Sequence, residues 1–266
     1  MKIAFIGGGN MGESMLSAVL EKGLVKPEAI VVSDVAKARL KYLKQKYSVA
    51  VTGSNRQVAE VGDVVVLAIK PQNLAKVMSE LNGRLRPPQL VLSIVAGARI
   101  NTLSRGLKHG CIVRAMPNTP AQIGEGISVW TAMAEVTEQQ RELARAILRA
   151  MGKEIYVDDE NYIDMATAIS GSGPAYFFLM VESLVDAAVG IGLPRNMALK
   201  LVLQTMLGSG HLIQRSGKEP AELRRMVTSP GGTTAEALLH LEKGGFSQLL
   251  NQVVKAAYNR AKELGS

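Results

Sequence analysis

Short apolar runs alternate with helical patterns over the first half of the chain. The first run, Ile3-Ala4-Phe5-Ile6, is long enough for one buried strand, and apolar residues at helical spacing follow it. Comparable runs predict strands over residues 29–33, 64–69, 90–95, 111–116 and 127–131. Repeated strand and helix is typical of an α/β fold, here a parallel sheet with helices on both faces.

The pattern changes near Asp158-Asp159-Glu160, and no strand is predicted after it. We therefore expect an α/β domain over residues 1–158 and an all-helical domain over residues 159–266. The segment 174–189 is apolar almost all round, with only Glu182 and Asp186 sharing a polar face. Such a helix must be buried on nearly every side, so the helical domain is predicted to pack against a second copy of the chain.

Composition narrows the class of protein. The chain has 266 residues, of which 47% are hydrophobic and 20% charged, as in an ordinary soluble globular protein. A formal charge of +8 can attract nucleic acid, a membrane surface or an anionic ligand, but four Phe and one Trp are few for stacking on bases. We expect no nucleic-acid or membrane partner. Much of the excess charge fits the solvated face of one helix: Lys37, Arg39, Lys41, Lys44 and Lys46.

The single cysteine, Cys111, excludes an intramolecular disulfide and fits a reducing compartment, with buried packing as its expected role. The first apolar run is too short for a signal peptide, and no apolar run of about 18 residues follows. A cytoplasmic location is predicted. The three histidines, at positions 109, 211 and 240, have no ligand spacing around them, and no metal site is predicted.

The first strand breaks into the glycine motif Gly7-x-Gly9-x-x-Gly12, which opens a helix. In a dinucleotide site, the first glycine allows a tight turn, the second lets the backbone touch a pyrophosphate, and the third lets the helix pack closely on the strand. The phosphates then lie at the positive end of the helix. The alternative is a tight strand-to-helix turn with no ligand.

Asp34 ends the second predicted strand, 22 residues beyond Gly12, where a Rossmann unit holds the ribose 2′-hydroxyl. An acid there favours NAD over NADP, because a 2′-phosphate would meet a like charge. The nearby cations Lys37, Arg39 and Arg56 could neutralise that phosphate. A third possibility is that Asp34 only caps the next helix.

Three later strands end in small or polar breakers: Lys70-Pro71, Ala96-Gly97 and Pro117-Asn118-Thr119-Pro120. In open α/β sheets the ligand crevice lies at the carboxyl ends of the strands, so these loops are expected to converge on the cofactor. Lys70 either contacts a phosphate of the cofactor or lies on the rim of this crevice without touching the cofactor.

The segment 226–234 joins a helix-breaking Pro230-Gly231-Gly232 to several hydroxyl groups, directly before a helical pattern. The backbone N–H groups of Gly231, Gly232 and Thr233 would then line a helix start, where a small carboxylate can bind. The alternative is a simple Ser/Thr helix cap with a proline stop. The stretch Gly171-Ser172-Gly173-Pro174 has the same two interpretations.

Together these stretches carry a family resemblance. The motifs are Ile6-Gly7-x-Gly9-Asn10-Met11-Gly12, Ala68-Ile69-Lys70-Pro71, Arg114-Ala115-Met116-Pro117-Asn118-Thr119-Pro120, Ser170-Gly171-Ser172-Gly173-Pro174-Ala175-Tyr176 and Ser229-Pro230-Gly231-Gly232-Thr233-Thr234. In this order, over essentially the whole chain, they resemble pyrroline-5-carboxylate reductase. Many dehydrogenases share the first motif, whereas the last three in combination are highly specific.

The resemblance implies reduction of 1-pyrroline-5-carboxylate to L-proline by NADPH or NADH, in a Rossmann domain followed by a helical dimerisation domain. Homodimers of such enzymes often assemble into decamers. The resemblance places the substrate carboxylate on Ser229, Gly231, Gly232 and Thr233, and the ring nitrogen at the hydroxyl of Thr234. The resemblance also implies a set of residues that contact the cofactor: Gly9, Asn10, Met11, Asn55, Ala68, Lys70, Ala96 and Asn118. Asp34 is a departure, since relatives that prefer NADPH often have a hydroxyl residue there.

Two rival functions are considered. Related hydroxy-acid dehydrogenases generally place a lysine on the long helix entering the second domain, but residues 161–189 contain no Lys, Arg or His. That absence favours an imine substrate over a carbonyl. A non-catalytic dinucleotide sensor is the second rival, and it would need no anion pocket at a second helix start.

Overall fold

We describe residues 1–265 from a computed structural model of the chain. Its centre is one eight-stranded sheet with the strand order β3-β2-β1-β4-β5-β6-β7-β8. The strands are β1 (Ile3–Ile6), β2 (Ile30–Ser33), β3 (Ala50–Thr52), β4 (Val64–Leu67), β5 (Leu90–Ser93), β6 (Ile112–Met116), β7 (Gly126–Ala132) and β8 (Gly152–Tyr156). The order of the first six is that of a Rossmann fold, with the topological switch point between β1 and β4. The predicted α/β class is confirmed.

The sheet is not wholly parallel, which corrects one prediction. Strands β1 to β6 pair in parallel, but β7 runs antiparallel to β6, with Ala115 opposite Trp130. Only residues 117–125 join these two strands, and a parallel crossover needs a dozen or more residues. Helix α6 (Glu138–Ala150) then provides such a crossover, so that β8 pairs in parallel with β7.

Apolar side chains alternate between the two faces of the sheet, as the two-residue period of a strand requires. Ile3 and Phe5 enter one buried cluster, while Ala4 and Ile6 enter the other. The first cluster packs under α1 (Asn10–Glu21), α2 (Lys37–Tyr47) and α6, and the second under α3 (Asn55–Val61), α4 (Leu74–Leu81) and α5 (Ile100–Leu107). The prediction of helices on both faces is confirmed.

The rest of the chain is helical, as predicted. Helix α7 (Asn161–Ala166) passes through a π-helical turn at Thr167–Gly171 before α8 (Gly173–Gly190). The later helices are α9 (Arg195–Ser216), α10 (Pro220–Met226), α11 (Thr233–Lys243) and α12 (Phe246–Glu263). The chain forms two compact units: Met1–Pro174 with the stretch from Ala256 onward, and Ala175–Lys255.

Helix α8 is largely uncovered within one chain. Phe178 is 64% exposed and Leu179 is 62% exposed, whereas Val185 is buried. The expected burial on nearly every side is therefore not supplied by this chain alone. By length and composition, the helix Asn161–Gly190 is also apolar enough to cross a membrane. An apolar helix that a second subunit covers has the same composition.

A buried ion-pair network ties the sheet to the first turn of α7. The guanidinium of Arg114 lies 2.6 Å from the carboxylate of Glu160 and 2.7 Å from that of Asp164. Arg99 reaches the second oxygen of Asp164 at 2.7 Å, but as an ion pair only, because this oxygen has no hydrogen-bond donor among residues 1–265. Removing one member of such a network leaves its partners buried with part of their charge unpaired.

The end of the chain packs on the loop that follows β5. Gly97 has a φ of +74°, and a Cβ atom there would lie 2.6 Å from the backbone of Leu264. Both the left-handed conformation and the close approach require glycine. The last residues described therefore support the loop that carries Ala96.

Candidate active site

The glycine turn after β1 has the shape predicted for its first and third glycines. Gly7 adopts a φ of +99° and donates its N–H to the carbonyl of Ser33 at 2.8 Å. A Cβ at Gly7 would lie 2.5 Å from the carbonyl oxygen of Ala68, and one at Gly12 would lie 2.4 Å from that of Gly7. Glycine is thus needed for the turn and for the close packing of α1 on it.

The start of α1 is open. Gly9 is its N-cap and has no capping side chain, and a Cβ added to Gly9 would meet nothing within 4 Å. The N–H of Glu13 makes the first bond of the helix, to the carbonyl of Gly9 at 2.8 Å. The preceding N–H groups, those of Asn10, Met11 and Gly12, have no acceptor within the helix. An exposed helix start of this kind fits a pyrophosphate.

Asp34 joins the glycine turn to the segment before α2. One carboxylate oxygen accepts a hydrogen bond from the N–H of Gly8 at 2.8 Å, and the other accepts one from the N–H of Ala36 at 2.9 Å. A carboxylate has about four acceptor positions, so these two bonds leave room for ribose hydroxyls. Asp34 therefore combines a structural role with a position suited to the ribose.

The other residues predicted for the cofactor follow the carboxyl ends of neighbouring parallel strands. Ala68 follows β4, Ala96 follows β5 and Asn118 follows β6, so they lie at one edge of the sheet. The Asn118 side chain is buried and accepts a hydrogen bond from the N–H of Ile127 at 2.9 Å. Lys70 is exposed and caps the short turn Pro71–Asn73.

The side chain of Asn55 has partners at both ends. Its amide nitrogen donates to the carboxylate of Glu80, and its oxygen accepts from the hydroxyl of Ser33, each at 2.7 Å. Ser33 is the last residue of β2, directly before Asp34. These bonds fix Asn55 beside the predicted ribose position, while its contact with the cofactor stays a prediction.

Sequence reasoning missed a cluster of α2 side chains around Glu13, which lies in the first turn of α1. Its carboxylate accepts hydrogen bonds from Tyr47 at 2.7 Å, from Lys46 and Tyr42 at 3.0 Å each, and from the guanidinium of Arg39. Arg39 also donates to the carbonyl of Gly8. The available signal was the i, i+3, i+7 spacing of positions 39, 42 and 46, which puts them on one face of α2.

Opposing effects act on the pKa of the Glu13 carboxyl. Burial raises it, but the hydrogen bonds from Tyr47, Lys46, Arg39 and Tyr42 lower it to about 2 overall. Burial is also the main cause that raises the pKa of the Tyr47 hydroxyl. Glu13 is therefore a carboxylate at neutral pH, next to the glycine turn.

In the second compact unit, the segment 229–232 forms a tight turn before α11. Pro230 is its second residue, Gly231 has a φ of +68°, and the N–H of Gly232 donates to the carbonyl of Ser229 at 3.0 Å. The Gly232 N–H thus closes the turn, whereas we expected it to be open to an anion. The first bond of α11 is donated by Glu236, so the N–H groups of Thr233, Thr234 and Ala235 have no acceptor within the helix.

A groove between α10 and α11 begins at this turn. It encloses about 480 Å³, and two cations, Arg224 and Arg225, lie along it. Its other lining residues are Thr228, Gly231, Gly232, Ala235, Glu236, Leu238, Leu239 and Glu242. The open N–H groups favour an anion at the helix start, while the charges of the two arginines along the groove are matched by those of Glu236 and Glu242.

The histidines and the cysteine lie in surroundings that do not suggest a catalytic role. His109 is buried, with a ring nitrogen 2.7 Å from the carbonyl of Gln89, while His211 and His240 are exposed. Cys111 is half-buried against the first core cluster rather than fully enclosed. Within residues 1–265 there is no group of three or more His, Cys, Asp or Glu side chains arranged to hold a metal ion.

Known proteins and family models match this chain over nearly its whole length. The family model "Pyrroline-5-carboxylate reductase dimerisation" matches residues 160–264, and the model "NADP oxidoreductase coenzyme F420-dependent" matches residues 2–97. The pyrroline-5-carboxylate reductase of Synechocystis sp. is 43% identical over 265 residues, with 100% of this chain and 98% of the relative covered. The chain belongs to the pyrroline-5-carboxylate reductase family.

Two further members of the pyrroline-5-carboxylate reductase family support the assignment. The enzyme of Pseudomonas aeruginosa is 42% identical, covering 99% of this chain and 96% of the relative. A crystal structure of the pyrroline carboxylate reductase of Plasmodium falciparum with NADP bound has a TM-score of 0.91 and 32% identity, covering 100% of this chain and 98% of the other. The chain has an open helix start in each of its two compact units, at α1 and at α11.

Proposed function

We propose that this chain reduces 1-pyrroline-5-carboxylate to L-proline with NADPH or NADH, the last step of proline biosynthesis. The observation that carries the proposal is the pair of open helix starts, at α1 and at α11, in a chain of this family. One suits the pyrophosphate of a dinucleotide and the other suits a small carboxylate.

The cofactor is held by the carboxyl edge of the sheet. The N–H groups that follow Gly9 bind the pyrophosphate, and Asp34 accepts hydrogen bonds from the ribose. Gly7 forms the tight turn, and Gly12 lets α1 pack closely on it. The remaining cofactor residues are Asn10, Met11, Asn55, Ala68, Lys70, Ala96 and Asn118. Bound there, the nicotinamide supplies the hydride.

The substrate is held by the turn before α11. Ser229, Gly231, Gly232 and Thr233 bind its carboxylate, with the open N–H of Thr233 as a donor and the closed turn shaping the pocket. Arg224 and Arg225 also line the groove, together with Glu236 and Glu242. The hydroxyl of Thr234 contacts the ring nitrogen, and Thr234 is therefore the catalytic residue.

The reaction needs no catalytic histidine or pair of carboxylates, because the protein has only to position the substrate. A protonated cyclic imine is already electrophilic: the C=N carbon gains the hydride, and the nitrogen keeps its proton as the double bond becomes single. Holding two reactants in the right geometry can supply about 7–11 kcal/mol, whereas general acid catalysis adds a factor of about 10² to 10⁴. The carboxylate contact and the Thr234 hydroxyl therefore need only fix the ring.

The chain works as an oligomer. The dimerisation model covers residues 160–264, and the exposed apolar residues of α8 lie within it. The start of this match supports the division into a dinucleotide-binding domain over 1–158 and a substrate and dimerisation domain over 159–266, although the compact units divide the chain at Pro174 and Ala256. Homodimers assemble into a homodecamer in the cytoplasm. Light scattering at micromolar concentration should give the mass of ten chains; a stable dimer would contradict the decamer, and a monomer would contradict both.

The function is tested by initial rates with racemic 1-pyrroline-5-carboxylate and matched concentrations of NADPH or NADH. Substrate-dependent oxidation of either cofactor, with proline as product, is the expected result. Cofactor binding without turnover of any cyclic imine would favour a sensor. Turnover of a hydroxy acid instead would favour the related dehydrogenases.

A further inference from the structure

Arg39 and Asp34 act on opposite sides of one residue of the glycine turn. The carbonyl of Gly8 accepts a hydrogen bond from Arg39, and the N–H of Gly8 donates to Asp34 at 2.8 Å. The side chains of Arg39 and Asp34 therefore both bond to Gly8, the residue before the N-cap of α1. A 2′-phosphate at this position would be attracted by a free guanidinium and repelled by Asp34.

The guanidinium of Arg39 is not free, because it is paired with the carboxylate of Glu13. Only 25% of the Arg39 side chain and 16% of the Glu13 side chain are exposed, so solvent screens this pair less than a surface pair. The ring of Tyr42, 4.9 Å from the guanidinium carbon, further limits its movement. The guanidinium of Arg39 is thus held in place by Glu13, whose carboxylate also pairs with Lys46 at 3.0 Å.

We propose that Glu13 determines the cofactor preference by holding Arg39 away from the 2′ position of the adenosine ribose, so that the enzyme favours NADH over NADPH. This inference rests on the proposed function, since it concerns the same dinucleotide site. Glu13 acts here as a specificity-determining residue that works through Arg39.

The decisive measurement is the ratio of the Kd for NADPH to the Kd for NADH, from isothermal titration calorimetry on the full-length oligomer. Glu13→Gln releases the charge of Arg39, and the ratio should fall about tenfold, which corresponds to about 1.4 kcal/mol. The probes 2′,5′-ADP and 5′-AMP should show the same change, because they isolate the 2′-phosphate. At 0.5 M salt the change should shrink, as expected for a charge effect.

Glu21→Gln is the matched control, because Glu21 lies on the same helix and accepts a hydrogen bond from the hydroxyl of Ser17 rather than from Arg39. It should leave the ratio unchanged. Arg39→Leu removes a positive charge beside Glu13, which keeps Lys46 as its cationic partner, and should raise the ratio. The double variant Glu13→Gln/Arg39→Leu has the same net charge as the natural protein, and its ratio should return to within about threefold of the natural one.

Several results would overturn the inference. Tighter binding of NADPH than NADH to the natural protein would contradict it directly. An equal loss of affinity for both cofactors in Glu13→Gln would show that Glu13 only supports the turn. A fall in the ratio that persists in the double variant would assign the effect to another cation, such as Lys46. If neither cofactor bound the natural protein, the proposed function itself would fail.

Discussion

The carboxylate of Asp164 lies 2.7 Å from the guanidinium of Arg114, and only 2% of each side chain is exposed. One residue comes from a strand of the Rossmann sheet and the other from the first helix of the helical region. Because Arg99 and Glu160 join the same network, three segments are fixed by charge rather than by apolar packing alone. Such a network is sensitive to the loss of one member.

We expect Asp164→Ala to lower the free energy of unfolding by up to about 3–5 kcal/mol, because the buried Arg114 then keeps only Glu160 as an ionic partner and Arg99 loses its pairing with Asp164. Urea unfolding at fixed protein concentration measures this change. Glu142→Ala is the control, since Glu142 pairs with Arg145 and is 56% exposed, and it should cost no more than about 1 kcal/mol. Equal effects of the two substitutions would show that the buried network is unimportant for stability.

Two glycines of the turn should respond differently to alanine. Gly12→Ala brings a Cβ against the carbonyl of Gly7 and should lower both Tm and cofactor affinity. Gly9→Ala meets no protein atom, so Tm should change little while the Kd for NAD(P)H rises about tenfold or more, because the Cβ occupies the space needed by the pyrophosphate. Unchanged cofactor binding in Gly9→Ala would place the pyrophosphate elsewhere.

Thr234→Ala should lower kcat/KM for 1-pyrroline-5-carboxylate by about 10²-fold, because the ring nitrogen is no longer held and a small misplacement of the reacting carbon is enough for a loss of that size. Thr234→Ser keeps the hydroxyl and should retain most of the activity. The Kd of the cofactor should be the same in both variants. If kcat/KM were unchanged in Thr234→Ala, the hydroxyl would have no part in the reaction.

Acid should destabilise the protein partly through Glu13. Its carboxyl has a pKa of about 2 when folded, against an ordinary value of 4.5. Between these values the unfolded chain binds more protons, so the stabilising contribution is complete above pH 4.5 and is lost as the pH falls towards 2. Glu13→Gln should flatten the fall in the free energy of unfolding over that interval, measured by urea titration at several pH values. A slope identical to that of the natural protein would contradict the low pKa.

Much of the sheet could be predicted because buried parallel strands are continuous apolar runs. The two strands that were missed, β3 and β8, lie at the edges of the sheet. Lys153 and Glu154 interrupt the apolar pattern of β8, and β3 has only three residues. The antiparallel direction of β7 was also missed, although residues 117–125 are too few for the crossover that a parallel strand needs.

The turns of the candidate site could be predicted from their glycines, because few residues tolerate the required backbone. The contact of Arg39 with Gly8 could not be predicted, since it depends on how α2 rotates against the turn. That rotation is set by the packing of Leu43, which is fully buried and lies under Gly8. A helical pattern shows which side chains face solvent but not which of them reach a neighbouring loop.

The contact between Gly97 and Leu264 affects how the chain can fold during synthesis. The loop after β5 is made early, but the helix end that packs on it is made long afterwards. Closing so long a loop costs entropy that early local contacts do not. On the ribosome, the sheet can therefore form first, while the loop that carries Ala96 acquires its final support only when the end of α12 has emerged.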